Sequence, residues 1–122
     1  MGNRASVVFF DSNTVSPTIY LHWHGDSVPD WIEELAELMK GRYGDASYAA
    51  ARFVGICHKH ISGNLSLGLL SGGYSSLEVL NPRYMAAASP GDAGMVVINT
   101  TDFSWRAYGG YLSEYSDEGS HS

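Results

Sequence analysis

The sequence predicts an α+β domain, with a pair of helices packed on one face of a mainly antiparallel sheet, in the order ββααββββ. Three observations support this. The N-terminal region holds two β-prone runs separated by a turn cluster, Asp11-Ser12-Asn13-Thr14. Two stretches of helical apolar period then follow one another between Ser27 and Ile61. After Gly63 the pattern changes to short alternating or β-branched runs.

Ala5 to Phe10 is apolar and β-prone and reads as a buried strand. Thr18 to Trp23 is the second strand of a hairpin. Side chains alternate along a strand, so Tyr20, His22 and His24 are expected on one face and Ile19, Leu21 and Trp23 on the other, inward face. Gly25 turns the chain toward the first helix.

Ser27 to Arg42 is the clearest helix. Ser27 is an expected N-cap with Asp30 completing a capping box, and Pro29 falls in the first turn, where a missing N–H costs nothing. Val28, Trp31, Ile32, Leu35, Leu38 and Met39 form its apolar face, while Asp30, Glu33, Glu34 and Glu37 cover the other. A second helix is expected from an Asp45 N-cap to about Ile61. Its apolar arc, from Ala46 through Phe53 and Cys57 to Ile61, is broad enough to mark the more buried helix of the pair.

The remaining strands are read at Leu65–Leu69, Leu77–Leu80, Met95–Ile98 and Phe103–Tyr108. Gly72-Gly73 and Thr100-Thr101-Asp102 serve as turns, and a loop from Asn81 to Asp92 has helical potential near Tyr84 to Ala88. Residues 1–110 are expected to form one globular domain and 111–122 a flexible acidic tail.

The bulk numbers exclude several functions. At 122 residues and 44% hydrophobic content, the chain can bury a core without disulfides or metal. Its single cysteine, Cys57, cannot form an internal disulfide, which suits a reducing, cytoplasmic setting. No apolar stretch is long enough for a membrane span or a signal peptide. The formal charge is −6 and the seven Lys and Arg are scattered, which argues against direct nucleic-acid binding. Met1-Gly2-Asn3-Arg4-Ala5-Ser6 fits the short acylation pattern at Gly2.

The candidate chemistry centres on His22-Trp23-His24-Gly25-Asp26. Two imidazoles on one strand face can converge on a metal, with Asp26 as a third donor, although a stable site needs three or four ligands. His58 and His60 lie two apart on a helix and cannot both face one ion. Cys57 and His58 point about 100° apart and make no nucleophile–base pair. Glu33, Glu34 and Glu37 form a solvated face that could recognise a basic partner, and Trp105 and Tyr108 belong to an aromatic run of the kind found at interfaces. The sequence requires no cofactor.

Gly2-Asn3-Arg4-Ala5 leading into an apolar strand, then Ser16-Pro17 and Ile19-Tyr20-Leu21-His22-Trp23-His24-Gly25, form one set of features. A two-helix segment, Ala51-Arg52-Phe53, Leu65-Ser66-Leu67-Gly68 and a late apolar strand extend it. Together these resemble small uncharacterised bacterial proteins found near phage and mobile elements. The resemblance carries no activity. It implies that His22 and Trp23 matter more than His24, where Asn or Asp would be acceptable.

Three functional expectations follow. The first is a small non-enzymatic cytoplasmic module that binds another protein, as an accessory or anti-defence factor of a mobile element. The second is a metal-binding or metal-dependent enzyme domain centred on His22 and His24. The third is a homo-oligomer, such as a homodimer, joined through a sheet edge or the apolar helices.

Overall fold

The structure, a computed structural model, describes residues 3–61, 67–70 and 74–114. The Gly2 acylation pattern, the start of the third strand at Leu65, the Gly72-Gly73 turn and the tail beyond Glu114 lie outside them.

The strands are β1 (Ala5–Phe10), β2 (Thr18–Leu21), β3 (Leu67–Leu70), β4 (Gly94–Asn99) and β5 (Ser104–Tyr108). The helices are α1 (Val28–Leu38), α2 (Ala46–His60), α3 (Ser76–Val79) and α4 (Pro82–Ala88). The sheet order is β3-β2-β1-β4-β5. β1 runs parallel to β4, with Val7 opposite Val96 and Phe9 opposite Ile98; the other three pairings are antiparallel. The α+β class is as expected, but the sheet is mixed rather than mainly antiparallel, and the described order is ββααβααββ rather than ββααββββ.

The physical reason lies between β3 and β4. Leu77–Leu80, read as a strand, contains α3 instead. The Ser75 hydroxyl accepts the Glu78 amide at 3.1 Å and the Glu78 carboxylate accepts the Ser75 amide at 2.9 Å, a complete capping box. Asn81 then caps α4 by accepting the Arg83 and Tyr84 amides at 3.1 and 3.2 Å, with Pro82 in the first turn. This helical crossover, rather than a tight turn, delivers β4 alongside β1 in the parallel sense.

The pleat sends alternate residues to two covered faces. Val7, Phe9, Ile19, Leu21, Val96, Ile98 and Trp105 join the core under α1 and α2, where Phe9 meets Phe53 edge-on with centroids 5.5 Å apart. On the opposite face, Val8, Met95 and Val97 pack with Val79 of α3 and Met85 of α4. The expected helix pair does cover one face, and the short helices add a second layer that the sequence reading lacked.

Several joints hold the helices to the sheet. Asp11 accepts the amides of Asn13 and Thr14 at 2.7 Å each, and that of Ala46 at 2.8 Å, which ties the β1–β2 turn to the first turn of α2. Partial burial pulls the Asp11 carboxyl upward, but the three amide donors outweigh it and hold it below the usual range. Asp45 caps α2 through the Tyr48 amide, as expected. Ser27 precedes α1 without a side-chain cap, because a 3-10 turn over Gly25–Ser27 leads directly into that helix. Leu38, assigned to the apolar face, is 61% exposed at the end of α1. At the far end of the sheet, Arg4 donates from its amide and its Nε to one Asp92 oxygen, at 3.1 and 3.0 Å. The last described residues, Tyr111–Glu114, make a 3-10 turn that buries Leu112, so the packed body continues past Gly110. Among the described residues no helix is long and apolar enough to cross a membrane.

Candidate functional site

The Tyr20–Asp26 segment does not form the strand face that alternation predicts. β2 ends at Leu21 and the chain bends at His22 and Trp23, so the alternation rule stops applying there. Trp23, expected inward, is 54% exposed. Its ring meets His22 edge-on at 4.3 Å, and His22 Nδ1 lies 3.2 Å from the Tyr20 hydroxyl. Gly25 is required by crowding: a Cβ there would collide with the Asn3 carbonyl oxygen and the Ala93 side chain. Asp26 is exposed within the 3-10 turn.

His24 turns to a different neighbour. Its ring stacks on Trp31 of α1 with centroids 5.9 Å apart and planes 26° from parallel. His60, at the end of α2, stacks on the same indole at 5.3 Å and 11°. The two imidazoles brought together are therefore His24 and His60, through Trp31, rather than His22 and His24. His60 Nε2 also lies 3.0 Å from one Glu34 oxygen, while the Lys59 ammonium donates to the other. These hydrogen bonds from Lys59 and His60 hold the Glu34 carboxyl below its usual range. His24 Nδ1 is buried without a hydrogen-bond partner. The His60 imidazole sits at the end of α2, with its side chain 38% exposed.

Among the described residues, no group of three or more His, Cys, Asp or Glu side chains is placed to hold a metal ion. Cys57 is fully buried, and burial pushes its thiol up to about 12, far from the thiolate a nucleophile needs. The acidic face of α1 is partly spent within the molecule: Glu34 is engaged as above, and Glu37 pairs with Lys40 at 2.8 Å. Glu33 is exposed.

The aromatic pair separates. Trp105 is only 5% exposed and belongs to the core under α1 and α2. Tyr108 is half-buried on the other sheet face, where burial raises its phenol above the ordinary value. Both nevertheless line one groove of about 180 Å³ with Val79, Leu80, Val97 and Arg106. Leu80, just after α3, is 61% exposed at its rim, and Leu77 of α3 is 82% exposed. Sequence reasoning missed this rim because Leu77–Leu80 looked like a strand; the Ser75-x-x-Glu78 capping box was the signal available. A second groove of about 200 Å³ lies between α2 and the β3 edge, lined by Pro17, Ser47, Ala50, Ala51, Val54 and Leu69.

One face of the sheet thus carries an apolar groove bordered by Tyr108 and Arg106, and the other a stacked histidine–tryptophan joint. No protein-family model, curated protein or solved structure matches the chain.

Proposed function

We propose that the chain is a protein-binding module whose docking site is the groove between α3 and β5. The observation that carries this reading is Leu80, which lines that groove and is 61% exposed, with Leu77, three residues earlier in α3, 82% exposed. Burying one exposed leucine side chain is worth about 1.5–3 kcal/mol. Arg106 and Tyr108 in the wall are of two residue types that dominate binding energy at interfaces. The volume suits one branched or aromatic side chain, since a cavity of roughly 150 Å³ takes a benzene-sized group. The partner is thus a protein segment that offers a single apolar anchor. In this proposal the module acts in the cytoplasm as an accessory or anti-defence factor of a phage or mobile element.

The groove's chemistry is tested by selecting displayed random peptides on the full chain. The expected outcome is a recurrent large apolar anchor whose binding is lost in Leu77→Glu and Leu80→Glu. Peptides without such an anchor, or binding untouched by either variant, would count against the reading.

A further inference from the structure

β3 is one edge of the sheet among the described residues. Its four residues, Leu-Gly-Leu-Leu, carry neither charge nor proline, and Leu69 and Leu70 are 63% and 49% exposed. Natural edge strands are normally blunted by charge, by proline or by a covering element, because an open apolar edge is a template for another strand.

Beside this edge, α2 presents Ser47, Ala51 and Gly55 at four-residue spacing, which forms one stripe along the helix. All three are exposed, and nothing stands within 4 Å of where a Gly55 Cβ would be. Ser47 and Ala51 share the second groove with Pro17 and Leu69, so edge and stripe form one continuous surface. Small residues let two helices approach closely.

Charge identifies the occupant. The chain carries −6, yet neither α2 nor β3 contains an acidic residue, while α1 holds Asp30, Glu33, Glu34 and Glu37. The cations of α2 are engaged locally: Arg52 with the Tyr48 ring and hydroxyl, Lys59 with Glu34. A two-fold interface sets one patch against its own copy, so it is favoured where like charges are absent.

We propose that this face binds a second copy of the chain. The two β3 strands pair antiparallel across a two-fold axis and continue the sheet, and the two α2 stripes pack over the seam.

Sedimentation velocity of the full chain over a range of concentrations tests this surface separately from the α3–β5 groove. The expected result is a reversible dimer. Ala51→Glu and Leu69→Lys each weaken association by roughly tenfold or more through like-charge contact. Both positions are exposed, so circular dichroism should show a native fold in each variant. Mixing Ala51→Glu with Ala51→Lys restores a dimer, and Leu77→Glu dimerises like the wild type. A wild type that stays monomeric throughout would overturn the proposal. So would a dimer that tolerates both charge variants, or one broken by Leu77→Glu.

Discussion

Trp31 of α1 and His60 of α2 stack with ring centroids 5.3 Å apart and planes 11° from parallel, and this contact joins the start of one helix to the end of the next. His24 adds its ring to the same indole from the β2–α1 connection. One tryptophan, 7% exposed, therefore ties three segments at one end of the helical layer.

Stacking, more than charge, should hold this joint. An aromatic pair contributes about 0.5–1.5 kcal/mol beyond area burial, whereas exposed ion pairs such as Glu34–Lys59 are worth little. His60→Ala is expected to lower stability by about that stacking amount, while His60→Phe and Lys59→Ala stay closer to wild type. Urea unfolding, followed through tryptophan fluorescence and circular dichroism, measures all three. A larger loss in Lys59→Ala than in His60→Ala would show that the ion pair dominates.

Acid should destabilise the fold through specific carboxylates. Asp92, by its hydrogen bond from Arg4, and Glu34, by those from Lys59 and His60, are held below their ordinary values of 3.8 and 4.5. A carboxyl depressed in the folded state contributes stability that is fully present above its unfolded value and is lost as pH falls through the folded one. Stability should therefore be flat near neutrality and fall from about pH 4.5 downward. Asp92→Asn should flatten part of that acid limb. Thermal unfolding across this range reads the difference.

Asp11 should matter more than its partly exposed position suggests. It accepts three backbone amides and connects the β1–β2 turn to α2. Loss of a helix cap costs about 0.5–2 kcal/mol, and Asp11→Ala removes the turn acceptors as well. The expected loss is near the upper end, about 2 kcal/mol, by urea unfolding. A loss no larger than that of an exposed-surface substitution would mean that Ala46 and the turn amides find other acceptors.

Gly25→Ala should be among the most damaging small substitutions. The added methyl meets a backbone carbonyl at Asn3, which is also bonded to the Gly25 amide at 2.6 Å. Overpacking of this kind costs about 1–3 kcal/mol, and here the displaced atom belongs to the backbone that leads into β1. Retained stability in Gly25→Ala would show that the Asn3 segment can move aside.

Part of this architecture was legible in particular residues. The α1–α2 pair followed from apolar spacing, and the Asp45 cap and the α2 arc were found where expected. The second helical layer was also written in the sequence, though less openly. Val7–Phe9 and Met95–Ile98 are continuous apolar runs rather than alternating ones, and both are buried on both faces. Such strands belong in a sheet interior, where parallel pairing and cover on each side are usual. α3 was hidden because Leu77-Glu78-Val79-Leu80 satisfies strand propensity, and only its cap identifies it as a helix. The histidine site was harder. Which imidazole reaches Trp31 depends on the length of the Met39–Asp45 connection and on where β2 stops pairing. Neither is a property of the His22-Trp23-His24 motif itself.

The most direct test of the central claim is a photo-cross-linking amino acid at position 77, in cells that make this protein. Recognition through the α3–β5 groove predicts one dominant cross-linked partner, a different protein, that disappears when Leu80 is also changed to Glu and persists in Ala51→Glu. Cross-links spread over many unrelated proteins, or a partner retained in Leu80→Glu, would contradict it.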